Sequence, residues 1–579
     1  MDEAPRARSR YVLPLFLLAL LSVVMSVAFF VLVVAFQVSS ITGGDAAPAR
    51  AGVRTPIATP TPGPLLVRGS IPGAVPDLQL QQGEPADIAV TPSTSATATA
   101  IRYWALVVSP SAGLPDLTAD QVTRLLEKPP EASSLGGRGG RIAGIAGPER
   151  PGEIFRATWP VEESPPTWED LRRRMAEPGR PAIAVIPIDE VDPRTAVVRR
   201  KTATGAAEPV WIVERVEVTG LTGRGQAAAQ TIVRAIEVAK PEATTIIATG
   251  DILLSRCTYT TIEAIDDWAA PFASTLGARL RGADLVLGSL DGSIQDINPV
   301  WGCVATTNLA MPPEAVRTLL AGGIDGVTLA TNHALDCGQD SCGRNAVLRT
   351  IALLDAAGVK HTGGGATLED ALAPMIFEIG GVRIGVLGFD DIAAEDSEAT
   401  ATSPGTAPLD DSYEDEQADF PREPAFYKPA SLLNLTRFAE RIRKLKTEVD
   451  LVIVQVQSGT EDTHDPSPRS IKALRAAVDA GADLVVGNQA HWVQAAEFRG
   501  DTFVAYALGN FLFDQRHTPQ HYQGVLLEAE VWGKKIAQVR LVPYEIIDRH
   551  RPEILEGAVR AKVLNDVWAA SERLLAEAP

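Results

Sequence analysis

Thr245–Asp251, TIIATGD, is a short apolar run rich in β-branched residues that stops on a small turn carrying a carboxylate. It reads as a buried strand, Thr245–Ala248, followed by a polar strand end. The same phrase recurs downstream. Leu285–Leu287 runs into Ser289–Asp291, Gly326–Leu329 into Thr331–Gly338, and Leu451–Gln455 into Gln457–Glu461. Leu484–Val486 runs into Gly487–Trp492, Phe503–Tyr506 into Ala507–Gln515, and Ile384–Leu387 is a further strand. Helical phrases at Pro313–Ala321 and Arg344–Ala356 separate several of these runs. Apolar β-rich runs alternating with helices indicate a layered α/β domain, here spanning 244–550.

Upstream, residues 101–220 read as a smaller α/β domain. Tyr103–Val108, Ala182–Pro187 and Trp211–Val218 are expected strands. A helix ending at Leu126 carries Thr118 as N-cap and Gln121 three residues on, and Thr167–Met175 is a second helix capped by Thr167. GGRGGR (136–141) reads as a mobile loop. The phrases LTADQVTRLL and PAIAVIPIDEVDPRTAVV resemble segments of a type 2 periplasmic-binding-protein lobe. Gln226–Lys240 reads as a linker helix within 221–243, and 551–579 as a C-terminal helix.

From Tyr11 to Phe36 no residue is charged. At 1.5 Å per residue such a run reaches roughly 39 Å, enough for a bilayer core. Arg6, Arg8 and Arg10 precede it. The positive-inside rule therefore keeps residues 1–10 cytoplasmic and exports the chain beyond a single-pass helix at 11–38. Signal peptides have apolar regions of about 7–15 residues, so an uncleaved anchor is expected. Cleavage near Ala46–Ala49 is the alternative and exports the chain equally. Residues 39–100 are rich in Pro, Thr, Ala and Gly and read as a disordered stalk. Asp390–Glu423 is acidic and reads as a long surface loop. A net charge of −19 over 579 residues excludes general nucleic-acid binding. Any polyanion must then meet a local cationic patch or a bound metal.

The four cysteines suit an oxidising compartment. Cys337 and Cys342 can close a short loop, leaving Cys257 with Cys303. A four-thiolate zinc site is the rival reading, although only Cys337–Cys342 resembles a zinc knuckle.

The polar strand ends supply Asp251, Asp291, Asn332, His333 and His491, a mixed oxygen and nitrogen set suited to a divalent ion. Each residue alone equally suits a turn or helix cap. As an ordered set over 245–550, with ATNHALDCG, GADLVVG and YALGNFLFDQ, they resemble the bacterial capsule-synthesis CapA family, also called the poly-γ-glutamate biosynthesis (PgsA) family. The resemblance implies a calcineurin-like metallophosphatase fold, a β-sandwich flanked by helices. It also implies a divalent ion (Mn²⁺, Mg²⁺ or Zn²⁺) and a role in making or exporting a cell-envelope polymer beside a membrane synthase.

Position by position, Asp251 matches the family's first carboxylate ligand, and Asp291 stands where the family has the Glu of N-L-E. Asn332 and His333 match its Asn-His pair, Asn as ligand and His as general acid, and His491 matches the second His of G-H-x-P-H. Gln457 replaces the His of H-W-G-x-E, with Gly459 and Glu461 kept. Asn488 and Ala490 replace the first His and the Pro of G-H-x-P-H. The implied metal set is Asp251, Asp291, Asn332, His491, Asn488 and Gln457, with His333 catalytic. The function expected is a metal-dependent hydrolase, or a non-catalytic polymer-binding scaffold with a degenerate metal site.

Overall fold

The computed structural model describes residues 64–69, 78–93, 100–127, 131–139, 141–148, 161–202, 207–237, 239–296, 303, 309–337, 342–393, 397–409 and 435–577. All of these belong to the compact unit Pro64–Pro579. The expected tail and membrane helix at 1–38 lie outside the described residues, as do 410–423 of the acidic segment. Among the described residues no helix is long and apolar enough to cross a membrane.

The N-terminal sheet contains β1 (Leu65–Arg68), β2 (Leu80–Gln82), β3 (Ile88–Pro92), β4 (Ala100–Val108), β5 (Ala143–Gly144), β6 (Ala182–Pro187) and β7 (Trp211–Gly220). Their order is β2-β1-β3-β7-β4-β6-β5, and the short strand Ala196–Val197 also pairs with β4. Two expected helices form, α1 (Ala119–Glu127) and α2 (Trp168–Met175). The reciprocal Thr118–Gln121 cap is present: the Thr118 N–H donates to Gln121 Oε1 at 2.8 Å and the Gln121 N–H to Thr118 Oγ1 at 3.3 Å. Thr167 accepts from the Asp170 N–H.

Several expectations are corrected here. The stalk read at 39–100 contains β1, β2 and β3. Alternate residues Leu65, Val67, Ile88 and Val90 are buried in one cluster, which offsets the ordering entropy that Pro- and Gly-rich composition suggested. The linker helix is α3 (Gly223–Ile236), which starts earlier than expected, on a Thr222 cap. It buries Ala228, Ile232 and Ile236 against that same cluster, so it is a sheet-packing helix. Arg138 of GGRGGR is held, donating to the Pro178 carbonyl at 2.7 Å and to Asn565 Oδ1 at 2.8 Å.

The second half is built on two large sheets. The first draws on β8 (Ala243–Ile252), β9 (Leu285–Leu290), β10 (Gly326–Thr328) and β11 (Lys360–Thr362). The second is built of β12 (Met375–Ile379), β13 (Val382–Asp390), β14 (Leu451–Gln457), β15 (Leu484–Asn488), β16 (Ala496–Arg499) and β17 (Thr502–Ala505). The chain then returns to the first sheet with β18 (Asn510–Leu512), β19 (Gln523–Trp532), β20 (Lys535–Ile547) and β21 (Arg551–Ile554). The first sheet is ordered β11-β10-β9-β8-β19-β20-β21, with β18 beside β8; the second is β12-β13-β14-β15-β17-β16.

Strand alternation explains the layers. Ile246, Leu285 and Leu287 of the first sheet share one core with Ile384, Val386, Ile453 and Val486 of the second. Their sequence neighbours Ile247 and Val286 face outward into a helix-covered layer. Val452, Val454 and Val485 likewise face Phe438 and Ile442 of α4 (Leu435–Lys446) and Leu474 of α5 (Pro468–Asp479). Two sheets thus pack face to face, with helices outside. The expected C-terminal helix at 551–579 is β21 followed by α6 (Gly557–Glu577), because Tyr544–Ile547 pairs with Arg551–Ile554.

The acidic segment is also corrected where it is described. Asp390, Asp391 and Glu398 are buried rather than solvated. Asp390 Oδ1 accepts from the Ile392 and Ala393 N–H groups, and Asp391 pairs with Arg469 at 3.1 Å and accepts from the Ser458 hydroxyl at 2.8 Å. Cys257–Cys303 and Cys337–Cys342 are disulfides, with Cα separations of 4.1 and 5.7 Å, so the four-thiolate zinc reading falls.

Candidate metal centre

Parallel pairing brings the carboxyl ends of β8, β9 and β10 side by side, and those of β14 and β15 likewise. The sheet-to-sheet core sets these two rows of strand ends against each other. Asp251 lies near the end of β8 and Asp291 directly after β9; His491 follows β15. Ligand atoms from these three residues all lie within 4.8 Å of one another, and all three residues are buried. The Gln489 N–H donates to Asp251 Oδ2 at 3.3 Å, which ties the second sheet's strand end to the first sheet's carboxylate. Gln489 (φ +90°) and His491 (φ +57°) both sit in left-handed backbone. That conformation costs a non-glycine residue of order 1–3 kcal/mol and persists only where the surroundings enforce it.

Buried polar oxygens normally find hydrogen-bond partners. Here Asp251 Oδ1, both carboxylate oxygens of Asp291, Asn332 Oδ1 and Asn488 Oδ1 have none. The partnerless lone pairs of Asp251 and Asp291 beside the buried His491 imidazole fit a hard or borderline cation. Burial raises the Asp251 carboxyl above the ordinary carboxylate range, and repulsion from Asp291 adds to it. Burial raises the Asp291 carboxyl in the same way. A bound cation would reverse both effects.

His333 projects from the loop after β10. Its Nδ1 is 2.7 Å from Asp336 Oδ2, which also accepts from the Leu309 N–H at 2.6 Å. Burial disfavours the charged ring, but the Asp291 and Asp336 carboxylates outweigh it and push His333 up to about 9. The ring is therefore poised to carry a proton at neutral pH.

Gln457 stands apart from the other expected ligands. Its Oε1 accepts from the Ser289 hydroxyl at 3.4 Å, and its Nε2 donates to Gln489 Oε1 at 3.0 Å. Gln489 Nε2 in turn donates to Glu461 Oε1 at 3.1 Å. This chain of amides holds the half-exposed Glu461 carboxylate 3.9 Å from His491 Nε2. Gln457 is thus a hydrogen-bonding residue beside the centre, while Asn488 keeps a free oxygen.

Sequence reasoning assigned no role to Gln489 or Asn510. Asn510 lies opposite Asp251 in register, and its Oδ1 is 2.9 Å from His491 Nδ1. Its one visible signal is an amide side chain at the head of an apolar run, NFLF.

Residues 245–515 match the family model described as "Bacterial capsule synthesis protein PGA_cap". The chain is 26% identical over 280 residues to the capsule biosynthesis protein CapA of Bacillus anthracis, covering 48% of this chain and 61% of that protein. It is 28% identical over 321 residues to the PGA biosynthesis protein CapA of Bacillus subtilis, covering 54% of this chain and 75% of that one. The sulfate thiohydrolase SoxB of Thermus thermophilus superimposes with a TM-score of 0.29 at 14% identity, over 52% of this chain and 45% of that structure, too little to add to the assignment. Residues 245–515, which carry the Asp251–Asp291–His491 cluster, are thus similar to the bacterial capsule synthesis protein family.

Proposed function

We propose that this chain is a metallophosphatase-like, metal-dependent hydrolase that acts on a phosphoester or amide bond of a cell-envelope polymer of the capsule or poly-γ-glutamate kind. In this reading it works outside the cytoplasm, tethered by the apolar run Tyr11–Phe36. One observation carries the proposal: three buried carboxylate oxygens, Asp251 Oδ1 and both of Asp291, lack partners where His491 converges with the two carboxylates. Asp251, Asp291, Asn332, Asn488 and His491 would hold one divalent ion, Mn²⁺, Mg²⁺ or Zn²⁺, which would supply Lewis-acid polarisation and an activated water.

The remaining chemistry belongs to the chain's own side chains. Asp336 accepts from His333 Nδ1–H and fixes the ring, so that Nε2 can give its proton to a leaving oxygen or nitrogen. The disulfide Cys337–Cys342 closes the loop directly after that pair. The polymer relation is supported by similarity to a capsule biosynthesis and a PGA biosynthesis protein.

Two measurements test this reading. Metal analysis of the purified chain should find a bound divalent ion, and a chromogenic phosphodiester should be hydrolysed in a metal-dependent way. His333→Ala should lower turnover by about 10²–10⁴-fold with metal content unchanged. If neither Mn²⁺ nor Zn²⁺ binds by calorimetry or supports turnover, the enzyme reading fails.

A second reading rests on Gln457, whose amide is engaged by Ser289 and Gln489 and so shortens the ligand set. In it, the domain binds or guides the polymer beside a membrane synthase without cutting it. That reading expects polymer retention by the protein to be unaffected by His333→Ala, and loses its support if none is retained with or without metal.

A further inference from the structure

Asn510 is fully buried at the start of β18, and its side-chain amide is oriented by what surrounds it. Its Nδ2 donates to the His521 carbonyl at 2.9 Å and to Gln515 Oε1 at 3.0 Å. A main-chain carbonyl can only accept, so the nitrogen must face His521 and the oxygen must face His491. Turning the amide over would set Oδ1 against that carbonyl and break both bonds. With Oδ1 fixed 2.9 Å from His491 Nδ1, that ring nitrogen must carry the hydrogen. The lone pair is then on Nε2.

The backbone enforces the same geometry. The Asn510 N–H donates to the His491 carbonyl at 3.3 Å, and the Tyr544 hydroxyl donates to the Asn510 carbonyl at 2.8 Å. His491 is held at φ +57°, with its ring 5.0 Å from that of Phe513. Its Nδ1 lies 3.7 Å from Asp251 Oδ2, and its Nε2 lies 3.9 Å from Glu461 Oε1.

We infer that Asn510 is a positioning residue that fixes the His491 ring proton on Nδ1 and thereby presents Nε2 to a metal ion. The inference rests on the metal-centre reading above, and it names the element of the site on which ion affinity turns. Partners of this kind on a ligating histidine are typically worth about 10–100-fold in metal affinity.

The test uses the full chain labelled with ¹⁵N-histidine. In the metal-free wild type at slightly alkaline pH, the His491 nitrogen shifts should show the Nδ1–H tautomer. Asn510→Ala should weaken Mn²⁺ binding by about 10–100-fold in calorimetry. Asn510→Asp keeps an oxygen acceptor and should restore affinity to within a few-fold of wild type. A wild-type Nε2–H tautomer overturns the inference, as does an alanine variant that binds Mn²⁺ as tightly as wild type. If the wild type takes up no metal, the hydrolase reading fails by itself, and the tautomer measurement still decides what Asn510 does.

Discussion

Asp291 is wholly buried with neither carboxylate oxygen hydrogen-bonded, and Asp251 beside it leaves Oδ1 without a partner. Without a cation this is an unfavourable arrangement, because two desolvated carboxylates oppose each other. Asp291→Asn removes one charge. It is expected to raise the melting temperature of the chelator-treated protein while abolishing ion-induced stabilisation. In the wild type, Mn²⁺ at about 100 times its dissociation constant should add about 2.7 kcal/mol. Differential scanning calorimetry with and without Mn²⁺ checks both halves, and an Asn variant still stabilised by Mn²⁺ would contradict the ligand assignment. The residue types at this site were legible in the sequence because each closes an apolar strand run. Gln489 and the orientation of Asn510 were not, since both depend on tertiary contacts between different strand ends, Gln489 to Asp251 and Asn510 to His491.

Two disulfides act on elements of different kinds. Cys257–Cys303 spans 46 residues and ties the start of the helix Arg256–Ile265 to a distant segment. Cys337–Cys342 spans 5 and begins directly after the His333–Asp336 pair. Loop-closure entropy assigns about 4 kcal/mol to the first and about 2 kcal/mol to the second. The paired Cys257→Ser and Cys303→Ser variant should therefore lose more stability in urea titration than the Cys337→Ser and Cys342→Ser variant. The order should invert for metal affinity, where the short loop matters more; equal metal affinities would remove the loop's role at the site. The elements themselves were largely readable. The Thr118–Gln121 and Thr167 caps formed as their spacing required, and the strand Leu451–Gln457 extended the expected run by two residues. The stalk reading failed at β1 to β3 because three- to five-residue strands carry too few side chains for their alternation to stand out amid Pro and Gly.

At the scale of the molecule, the smaller N-terminal sheet and the two-sheet domain are joined by polar groups as well as apolar ones. Arg540, Arg199 and Arg279 converge on Asp116, Glu528 and Glu530, and the Val197 N–H donates to Gln538 Oε1 at 2.9 Å. Arg560 of α6 donates to the Gly113 carbonyl at 2.5 Å and the Gly136 carbonyl at 2.8 Å. Removing one partner from a buried ion network typically costs about 3–5 kcal/mol. Residues 244–579 produced without the preceding sheet should accordingly be poorly soluble or melt well below Pro64–Pro579, which should unfold in one transition by circular dichroism. Two separate transitions would show that the halves are independent. No periodicity predicts such a seam, because its residues are charged positions scattered over strands, helices and a loop.

The two facing sheets each contribute to the centre: Asp251, Asp291 and Asn332 come from one, Asn488 and His491 from the other. A cation gripped by both would act as a rivet through the sandwich. The sheets would then resist sliding in proportion to how tightly the ion is held, and mechanical rigidity would become a property the protein takes from its metal supply.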